Sequence, residues 1–274
     1  MSLGIQGSNV QRATSPGRIE RWFAFFHHSP SHIFCLSECS FPSLNHSTNF
    51  QDRWLALHPD GGARIAERTS ILWKAHPALE YTGIFTQSSD GRVLIGQFLV
   101  DSVLTRIASI YARAVDSEKP MFFAQLCNLL QFWHPGIPQI ITSDWNCVAD
   151  PSRDSSNPTG TNVGHMNLIN LISQLSLSDT YRLISPWGNH FTNSHARTTR
   201  RLDRTYVSPN IVAVVRSVRF LAAPTTTAGR ALSTHKSVIT TIDLAQIHTG
   251  PSYYKIAIEW WTTLALRRGL ETNN

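Results

Sequence analysis

Seven polar side chains that can handle protons, phosphate or metal ions stand at, or beside, the ends of apolar strand-like segments. They are Asn9, Glu38, Tyr111, Asp144, Asn146, Asp203 and His235. Active sites of layered α/β folds collect at strand ends, because a rigid sheet fixes the positions of donor groups there. Taken singly, an acid after a strand is usually a turn residue and a lone histidine is usually a packing or surface residue. The order of the seven residues along the chain, and the residues next to them, indicate that together they form a functional site.

The segments that must position these side chains alternate between strands and helices early in the chain, and hairpin-like strands dominate later. Compact apolar runs predict strands at residues 3–9, 32–36, 69–73, 93–100, 105–111, 139–142, 201–207, 212–220 and 237–244. Apolar residues three and four apart predict helices at 15–29, 118–133, 163–175 and 254–270. This α/β (α+β) pattern predicts two sheets packed face to face with helices outside.

Composition limits the classes of protein that the chain can represent. Its 274 residues are 42% hydrophobic and 15% charged, which suits one large α/β domain and excludes wholesale disorder. The net charge of +6 favours a polyanionic partner such as nucleic acid. The four cysteines form no Cys-x-x-Cys pair, the start lacks a signal-peptide pattern, and no run is long enough to span a bilayer. We therefore expect free thiols, an intracellular location and no membrane partner.

Five short blocks follow one another in a fixed order along the chain. They read Ile-Phe-Cys-Leu-Ser-Glu at 33–38, Ile-Ala-Ser-Ile-Tyr-Ala at 107–112, Asp-Trp-Asn at 144–146, Arg-Leu-Asp-Arg at 201–204 and Leu-Ser-Thr-His at 232–235. Together they resemble the motifs of the endonuclease/exonuclease/phosphatase family, including its Gly-Asp-Phe-Asn, Ser-Arg-Ile-Asp-Arg and Ser-Asp-His blocks. The resemblance implies a four-layer sandwich of two mostly antiparallel sheets flanked by helices, over residues 1–246.

Smaller blocks resemble one branch of that family, the endonucleases of LINE-type retrotransposons. Leu-Ser-Asp-Thr-Tyr-Arg at 177–182, then Pro186 and the Phe-Thr pair at 191–192, are similar to its Asp-x-x-Arg, Pro and Phe-Thr positions. Gly-Pro-Ser-Tyr-Tyr-Lys at 250–255 is similar to the linker that precedes the reverse transcriptase of such elements, although an ordinary helix start also fits it. Residues 247–274 are therefore expected to be a tail. No polymerase motif occurs.

The resemblance implies a role for each of the seven residues in phosphodiester hydrolysis. Glu38 would hold Mg²⁺, or Mn²⁺ in its place, as a hard carboxylate ligand. Asp144 would orient or deprotonate the attacking water, and Asn146 would hold water and phosphate in line. His235 would donate to the phosphate and Asp203 would pair with it. Tyr111 and Asn9 would complete the surroundings of the phosphate and the metal.

The sequence departs from the family pattern at several positions of this expected site. Thr234 stands where the family has a metal-site aspartate, and a neutral hydroxyl cannot replace the charge of a carboxylate. Gln11 stands where some members carry a second acid, Arg113 replaces a proline, and Thr142-Ser143 replaces a Gly-Gly pair. We therefore expect weaker metal binding, as in a decayed or a repurposed copy, and the sequence leaves those two alternatives open.

The expected partner is DNA, with no small-molecule cofactor and a monomeric state; acting on genomic DNA would place the protein in the nucleus. Candidate contacts to the DNA backbone are Arg197, Arg200, Arg201 and Arg204, which lie around the Asp203 strand. A solvated arginine-rich hairpin explains them equally well. The leading hypothesis is a DNA endonuclease. Two alternatives remain open: a phosphatase of the same fold, and a catalytically inactive nucleic-acid-binding remnant.

Overall fold

The computed structural model describes residues 1–131, 136–158, 163–195 and 197–243, with the side chains of Gln131 and His195 left out. The strands are β1 (Ser2–Asn9), β2 (Ile33–Ser37), β3 (Gly62–Ile65), β4 (Thr69–Trp73), β5 (Leu79–Gln87), β6 (Val93–Val100), β7 (Val103–Tyr111), β8 (Gln139–Asp144), β9 (Ser178–Asp179), β10 (Asn193–His195), β11 (Thr198–Arg200), β12 (Asp203–Val207), β13 (Val215–Leu221) and β14 (Ser237–Asp243). The helices are α1 (Pro16–His28), α2 (Leu44–Leu57), α3 (Lys119–Gln131), α4 (Pro151–Asp154), α5 (His165–Gln174), α6 (Thr180–Ile184) and α7 (Pro209–Val212).

These strands form two six-stranded sheets, as the sequence predicts. The first has the order β13-β14-β1-β2-β4-β3 and the second the order β5-β6-β7-β8-β12-β9. Each sheet has one parallel pair, β1 with β2 and β7 with β8, and its other pairs are antiparallel. The prediction of two mostly antiparallel sheets is confirmed. Strands β10 and β11 form a separate two-stranded hairpin.

Apolar side chains fill the space between the sheets and the space beneath the helices on both outer faces. The inter-sheet core contains Ile5 and Ile33 of the first sheet and Ile107 and Ile140 of the second, all fully buried. Helices α1 and α2 cover the outer face of the first sheet with an aromatic cluster, and α3 and α5 cover that of the second. The order helix, sheet, sheet, helix gives four layers. No helix of the described residues is long and apolar enough to cross a membrane.

The predicted strands and helices are confirmed within two residues or so at most of their ends, but the chain contains further elements. Helix α2, strands β3 and β5, and the β10–β11 hairpin have no counterpart in the sequence prediction. Residues 132–133 of the helix predicted at 118–133 lie outside the described residues. So do residue 244, the motif at 250–255, the helix predicted at 254–270 and the tail at 247–274.

The two sheets approach most closely under the strand ends that carry the polar residues. Gly7 of β1 faces Thr142 of β8, and a Cβ atom at position 7 would overlap the Thr142 methyl group. The Thr142 hydroxyl pairs with that of Thr205 at 2.9 Å, and the Ser143 hydroxyl donates to the Ile110 carbonyl oxygen at 3.0 Å. Gly7 therefore leaves space for the Thr142 side chain, which is larger than the glycine of the family pattern.

Candidate active site

Strand pairing brings the predicted residues to one edge of the sandwich. Asn9 ends β1, and its neighbour across the parallel pair is Ser37, the residue before Glu38. In the second sheet, Asp144 ends β8 and is paired on one side with Tyr111 and on the other with Asp203. Since paired residues are directly opposite one another, their side chains meet at this edge.

Asp144 is the centre of a buried hydrogen-bond network. The Asn9 side-chain amide donates to Asp144 Oδ2 at 2.7 Å across the gap between the two sheets. The backbone N–H of Asn146 donates to Asp144 Oδ1 at 3.0 Å, in a turn where Asn146 has φ of +48°. The Asn146 amide in turn donates to the carbonyl oxygen of Ala112 at 2.8 Å. Both carboxylate oxygens are therefore held in fixed directions.

His235 lies beside this carboxylate and is bonded to a second one. Its Nδ1 is 2.8 Å from Asp203 Oδ2 and 4.0 Å from Asp144 Oδ2. The backbone N–H of His235 donates to the Ser233 hydroxyl at 3.1 Å. The Thr192 hydroxyl accepts from the backbone N–H of Asp203 at 3.0 Å. The predicted contact between Asp203 and His235 is thus present, and backbone bonds fix both partners.

Charge interactions shift the pKa values of the two central groups. Burial lowers the pKa of His235, but the Asp203 and Asp144 carboxylates outweigh it and raise the pKa to about 9. Burial is also the largest influence on Asp144 and raises its pKa to about 6, despite the opposing effect of His235. At neutral pH the site therefore contains a protonated imidazole beside a carboxylate that is mostly ionised but close to titration.

Glu38 and Tyr111 lie at the other side of the same edge. Glu38 is half-buried, has φ of +56°, and contributes to the raised pKa of His235. Burial, followed by the charges of Glu38 and Asp144, raises the pKa of Tyr111 to about 12, so its hydroxyl stays protonated. The Arg92 guanidinium lies 4.7 Å from the centre of the Tyr111 ring and restricts it. Nothing in the sequence pattern singled out Arg92.

Thr234 and Gln11 are bonded to each other. The Gln11 amide donates to the Thr234 hydroxyl at 3.0 Å, and the Thr234 backbone N–H donates to the Gln11 side-chain carbonyl at 3.2 Å. Asn193 of the β10–β11 hairpin adds a third bond, from its amide to the same hydroxyl at 3.2 Å. These three residues are here called the neutral clasp. Two of them, Thr234 and Gln11, stand where the sequence resemblance leads one to expect acids.

The four arginines predicted to contact DNA fall into two groups. Arg197 is exposed and Arg200 is half-buried, and both belong to the hairpin whose Asn193 pairs with His235. Arg201 and Arg204 are 2% and 1% exposed, and their guanidiniums form ion pairs with Asp154 and other internal partners. The assignment of Arg201 and Arg204 to the DNA surface is therefore wrong, because their charges are used inside the protein.

Asp154 is a charged residue with several hydrogen bonds that the sequence analysis did not identify. It accepts hydrogen bonds from Arg182, Arg201 and Arg204, whose side chains come from distant parts of the chain. Burial alone would raise its pKa, but these arginines hold the pKa well below the usual range. The only signal in the sequence is a lone acid in a polar loop, which usually indicates a turn.

The donor groups at this edge suit a hard divalent cation. Asp144, Asp203 and His235 each place a potential ligand atom within 4.8 Å of the others. However, His235 Nδ1 is engaged with Asp203, and a protonated imidazole cannot bind a metal. The carboxylates of Glu38 and Asp144 are the better ligands, and oxygen ligands of this kind suit Mg²⁺ or Mn²⁺.

The architecture is the endonuclease/exonuclease/phosphatase fold. A variant of the 3′ phosphatase NExo from Neisseria, bound to a product DNA hairpin, superposes with a TM-score of 0.67 at 18% identity, over 88% of this chain and 99% of that one. An AP endonuclease from Archaeoglobus fulgidus gives 0.66 at 13% identity, over 88% and 99%.

A third solved structure of this fold, the endonuclease domain of the telomere-specific non-LTR retrotransposon TRAS1, gives a TM-score of 0.59 at 12% identity, over 88% of this chain and 98% of that one. No protein-family model matches the sequence, and no curated protein matches it. The likeness is therefore one of fold.

Proposed function

We propose that the protein is a metal-dependent phosphodiester hydrolase that cleaves DNA, an endonuclease of the retrotransposon type. The observation that carries the proposal is the buried set of Asn9, Asp144, Asp203 and His235 at one sheet edge. Asn9 is hydrogen-bonded to Asp144, His235 is hydrogen-bonded to Asp203, and His235 Nδ1 lies 4.0 Å from Asp144 Oδ2. Among the solved structures of this fold, NExo is bound to product DNA and TRAS1 is a retrotransposon endonuclease.

The pKa shifts divide the chemical roles between the two central groups. A carboxylate with a pKa of about 6 is ionised at neutral pH yet basic enough to take a proton from the attacking water, and this role falls to Asp144. His235, protonated up to about pH 9, supplies positive charge and a donor to the phosphate as negative charge develops. Asp203 keeps the imidazole protonated and oriented. Asn146 and Tyr111 border the space left for the phosphate.

A divalent ion would be held by Glu38, with the substrate phosphate as a further oxygen ligand. When bound, it would neutralise phosphate charge and stabilise the leaving oxygen. The neutral clasp contributes no charge to it, because Thr234 and Gln11 offer only a hydroxyl and an amide that already bond to each other. We therefore propose that this copy binds its ion weakly and cleaves slowly.

DNA would lie across this edge with its backbone against the β10–β11 hairpin. Arg197 and Arg200 are the available cations of that hairpin, and Asn193 joins it to the segment that carries Thr234 and His235. Phosphate contacts of this kind set affinity and not sequence choice. If the protein acts on genomic DNA, the expected location is the nucleus.

The neutral clasp also favours a second candidate, a nucleic-acid-binding protein that no longer cleaves. The two candidates agree on the DNA surface and differ in the chemistry at Asp144. An ionised metal site is essential for the first and irrelevant to the second.

Nicking of supercoiled plasmid, with Mg²⁺ and separately with Mn²⁺, tests the proposal. We expect slow conversion to open circles that EDTA stops and that Asp144→Asn abolishes. Binding of a DNA duplex without nicking, in both metals, would favour the inactive nucleic-acid-binding protein. Phosphate release from an inositol phosphate, with no nicking, would instead indicate a phosphatase.

A further inference from the structure

A buried cluster of charged residues lies behind the candidate active site. Its members are Asp154, Asp179, Arg182, Arg201 and Arg204, here called the arginine cluster. Arg201 and Arg204 flank Asp203 along the chain, with Leu202 the only other residue between them. The cluster is therefore placed to affect the carboxylate that orients His235.

Asp154 is the central member of the arginine cluster. Its Oδ1 accepts from Arg182 at 2.6 Å and from Arg201 at 2.9 Å. Its Oδ2 accepts from Arg204 at 3.0 Å, from Arg201 at 3.3 Å and from the backbone N–H of Asp150 at 3.1 Å. The residue is fully buried, so these partners replace all of its water. Charge-assisted bonds of this kind are strong and directional.

Asp154 also connects the segment that follows Asp144 to the segment that precedes Asp203. The backbone N–H of Arg201 donates to the Asp154 carbonyl oxygen at 2.8 Å. Nearer the site, the N–H of Trp145 donates to the Leu202 carbonyl oxygen at 3.0 Å. Two backbone bonds and the side-chain network thus join the loop after β8 to the start of β12.

Arg204 adds a further tie on the other side of Asp203. Its guanidinium bonds both Asp154, at 3.0 Å, and the Cys147 carbonyl oxygen, at 2.9 Å. Asp144 and Asp203 are opposite each other in the β8–β12 pairing. Asp203 Oδ2 lies 2.8 Å from His235 Nδ1, and Asp144 Oδ2 lies 4.0 Å from it. A small shift between these strands would change both distances.

We propose that Asp154 is a positioning residue for hydrolysis: through Arg201 and Arg204 it fixes the spacing of Asp144 and Asp203 around His235. The inference rests on the proposed function for its kinetic consequences, but not for its structural ones. Without the Asp154 carboxylate, the buried Arg201 and Arg204 and the half-buried Arg182 share the single charge of Asp179, and they must move toward other acceptors or water. Arg201 and Arg204 would then pull on the strand that contains Asp203.

The test compares Asp154→Asn with Asp179→Asn, which removes one carboxylate from the same cluster. Asp179 bonds Arg201 at 2.7 Å but stands opposite Tyr206, three residues from Asp203. Both variants should unfold at a lower temperature. In single-substrate kinetics with plasmid DNA, we expect Asp154→Asn to lower kcat on the order of a hundredfold with KM little changed, and Asp179→Asn to change kcat by only about threefold or less.

A spectroscopic measurement tests the spacing without depending on cleavage. The proton shared by His235 and Asp203 should give a low-field ¹H NMR signal that disappears in His235→Gln. We expect Asp154→Asn to shift, broaden or remove that signal and Asp179→Asn to retain it. If the wild type does not cleave DNA, the proposed function fails while this measurement still decides the role of Asp154.

A folded Asp154→Asn protein with an unchanged low-field signal would overturn the proposal, as would equal kcat losses in the two variants. If Asp154→Asn does not fold, Arg204→Lys takes its place, because lysine keeps the charge but cannot bond Asp154 and Cys147 together. A weakened signal in Arg204→Lys supports the proposal, and an unchanged one contradicts it.

Discussion

The two halves of the candidate active site differ in how they are held. The acid–base half, made of Asn9, Asp144, Asp203 and His235, is buried, charged and interlocked by short hydrogen bonds. The metal half, made of Glu38 and the neutral clasp, has a single carboxylate, and its Thr234 is exposed. Bonds from Gln11 and Asn193 nevertheless hold Thr234 in place. A segment of neutral residues can therefore be held in place by hydrogen bonds alone.

Removing the base from the acid–base half should have the largest effect. We expect Asp144→Asn to reduce kcat for DNA cleavage by roughly a thousandfold or more, since the amide cannot accept a proton and weakens the field around His235. Plasmid nicking by purified protein measures this. Asn9 still has an oxygen to donate to, so the fold should persist, and thermal unfolding is the control. Undiminished nicking would place the chemistry elsewhere.

Adding charge to the metal half should have the next largest effect. Thr234→Asp should raise the cleavage rate by up to about a thousandfold, because a carboxylate near a divalent ion contributes several kcal/mol to transition-state stabilisation. Gln11 and Asn193 already donate to the Thr234 hydroxyl, and the same donors can serve a carboxylate.

Titrations of nicking with Mg²⁺, for wild type and variant, should show the variant saturating at lower concentration. Thr234→Asn is the matched control, being similar in shape but neutral, and it should not gain activity. Equal and robust activity in the wild type and Thr234→Asp would show that the missing charge does not limit this copy.

The charge on His235 makes the stability of the acid–base half depend on pH. Its pKa is about 9 in the folded protein against an ordinary value of 6.5, so the stabilisation is complete below pH 6.5 and is lost as pH rises through 9. The loss amounts to at most about 3 kcal/mol. Asp144 titrates near 6 and does not contribute in this window.

Denaturant unfolding at pH 6.5 and pH 9.5 measures the effect. Asp203→Asn, which removes the nearest carboxylate, should make the free energy of unfolding nearly flat over the same interval. A flat profile in the wild type would mean that His235 is neutral in the folded protein. The acid–base half would then hold less charge than its contrast with the metal half assumes.

Among the predicted effects, the smallest concerns the arginines beside the site. Arg200→Ala and Arg197→Ala should each weaken DNA binding severalfold and reduce the slope of log Kd against log salt by about one. Fluorescence anisotropy with a labelled duplex at several salt concentrations checks this. Arg201→Ala should behave differently, lowering thermal stability instead, because Arg201 is buried against Asp154 and Asp179. If Arg201→Ala weakened DNA binding and left thermal stability unchanged, the result would instead support a contact between Arg201 and DNA.

Residues at strand ends could be predicted from the sequence because strand position is a local property. Asp144 and Glu38 each follow a compact apolar run, and pairing of those runs in sheets leaves little freedom in where the next side chain lies. The meeting of Asp203 with His235, at 2.8 Å, agrees with the prediction made from their motifs. The resemblance to the family motifs supplied the expectation that these two side chains meet.

Contacts between distant loops could not be predicted in this way. Asp154 meets Arg204 across 50 positions, and this pair has no pattern in the sequence. Arg201 and Arg204 were expected to be exposed because arginine usually is, and the acids Asp154 and Asp179 compensate for their burial. Tertiary contacts decided these cases.

The close approach of Gly7 to Thr142 couples these two positions. A Cβ atom at position 7 would overlap the threonine methyl group, so each residue limits what the other position can accommodate. While Thr142 is present, the glycine is difficult to replace. Substitution of Gly7 by alanine should be tolerated only in a Thr142→Ser background, where the methyl group is absent and the hydroxyl is retained. The effects of substitutions at positions 7 and 142 on stability are thus expected to be non-additive.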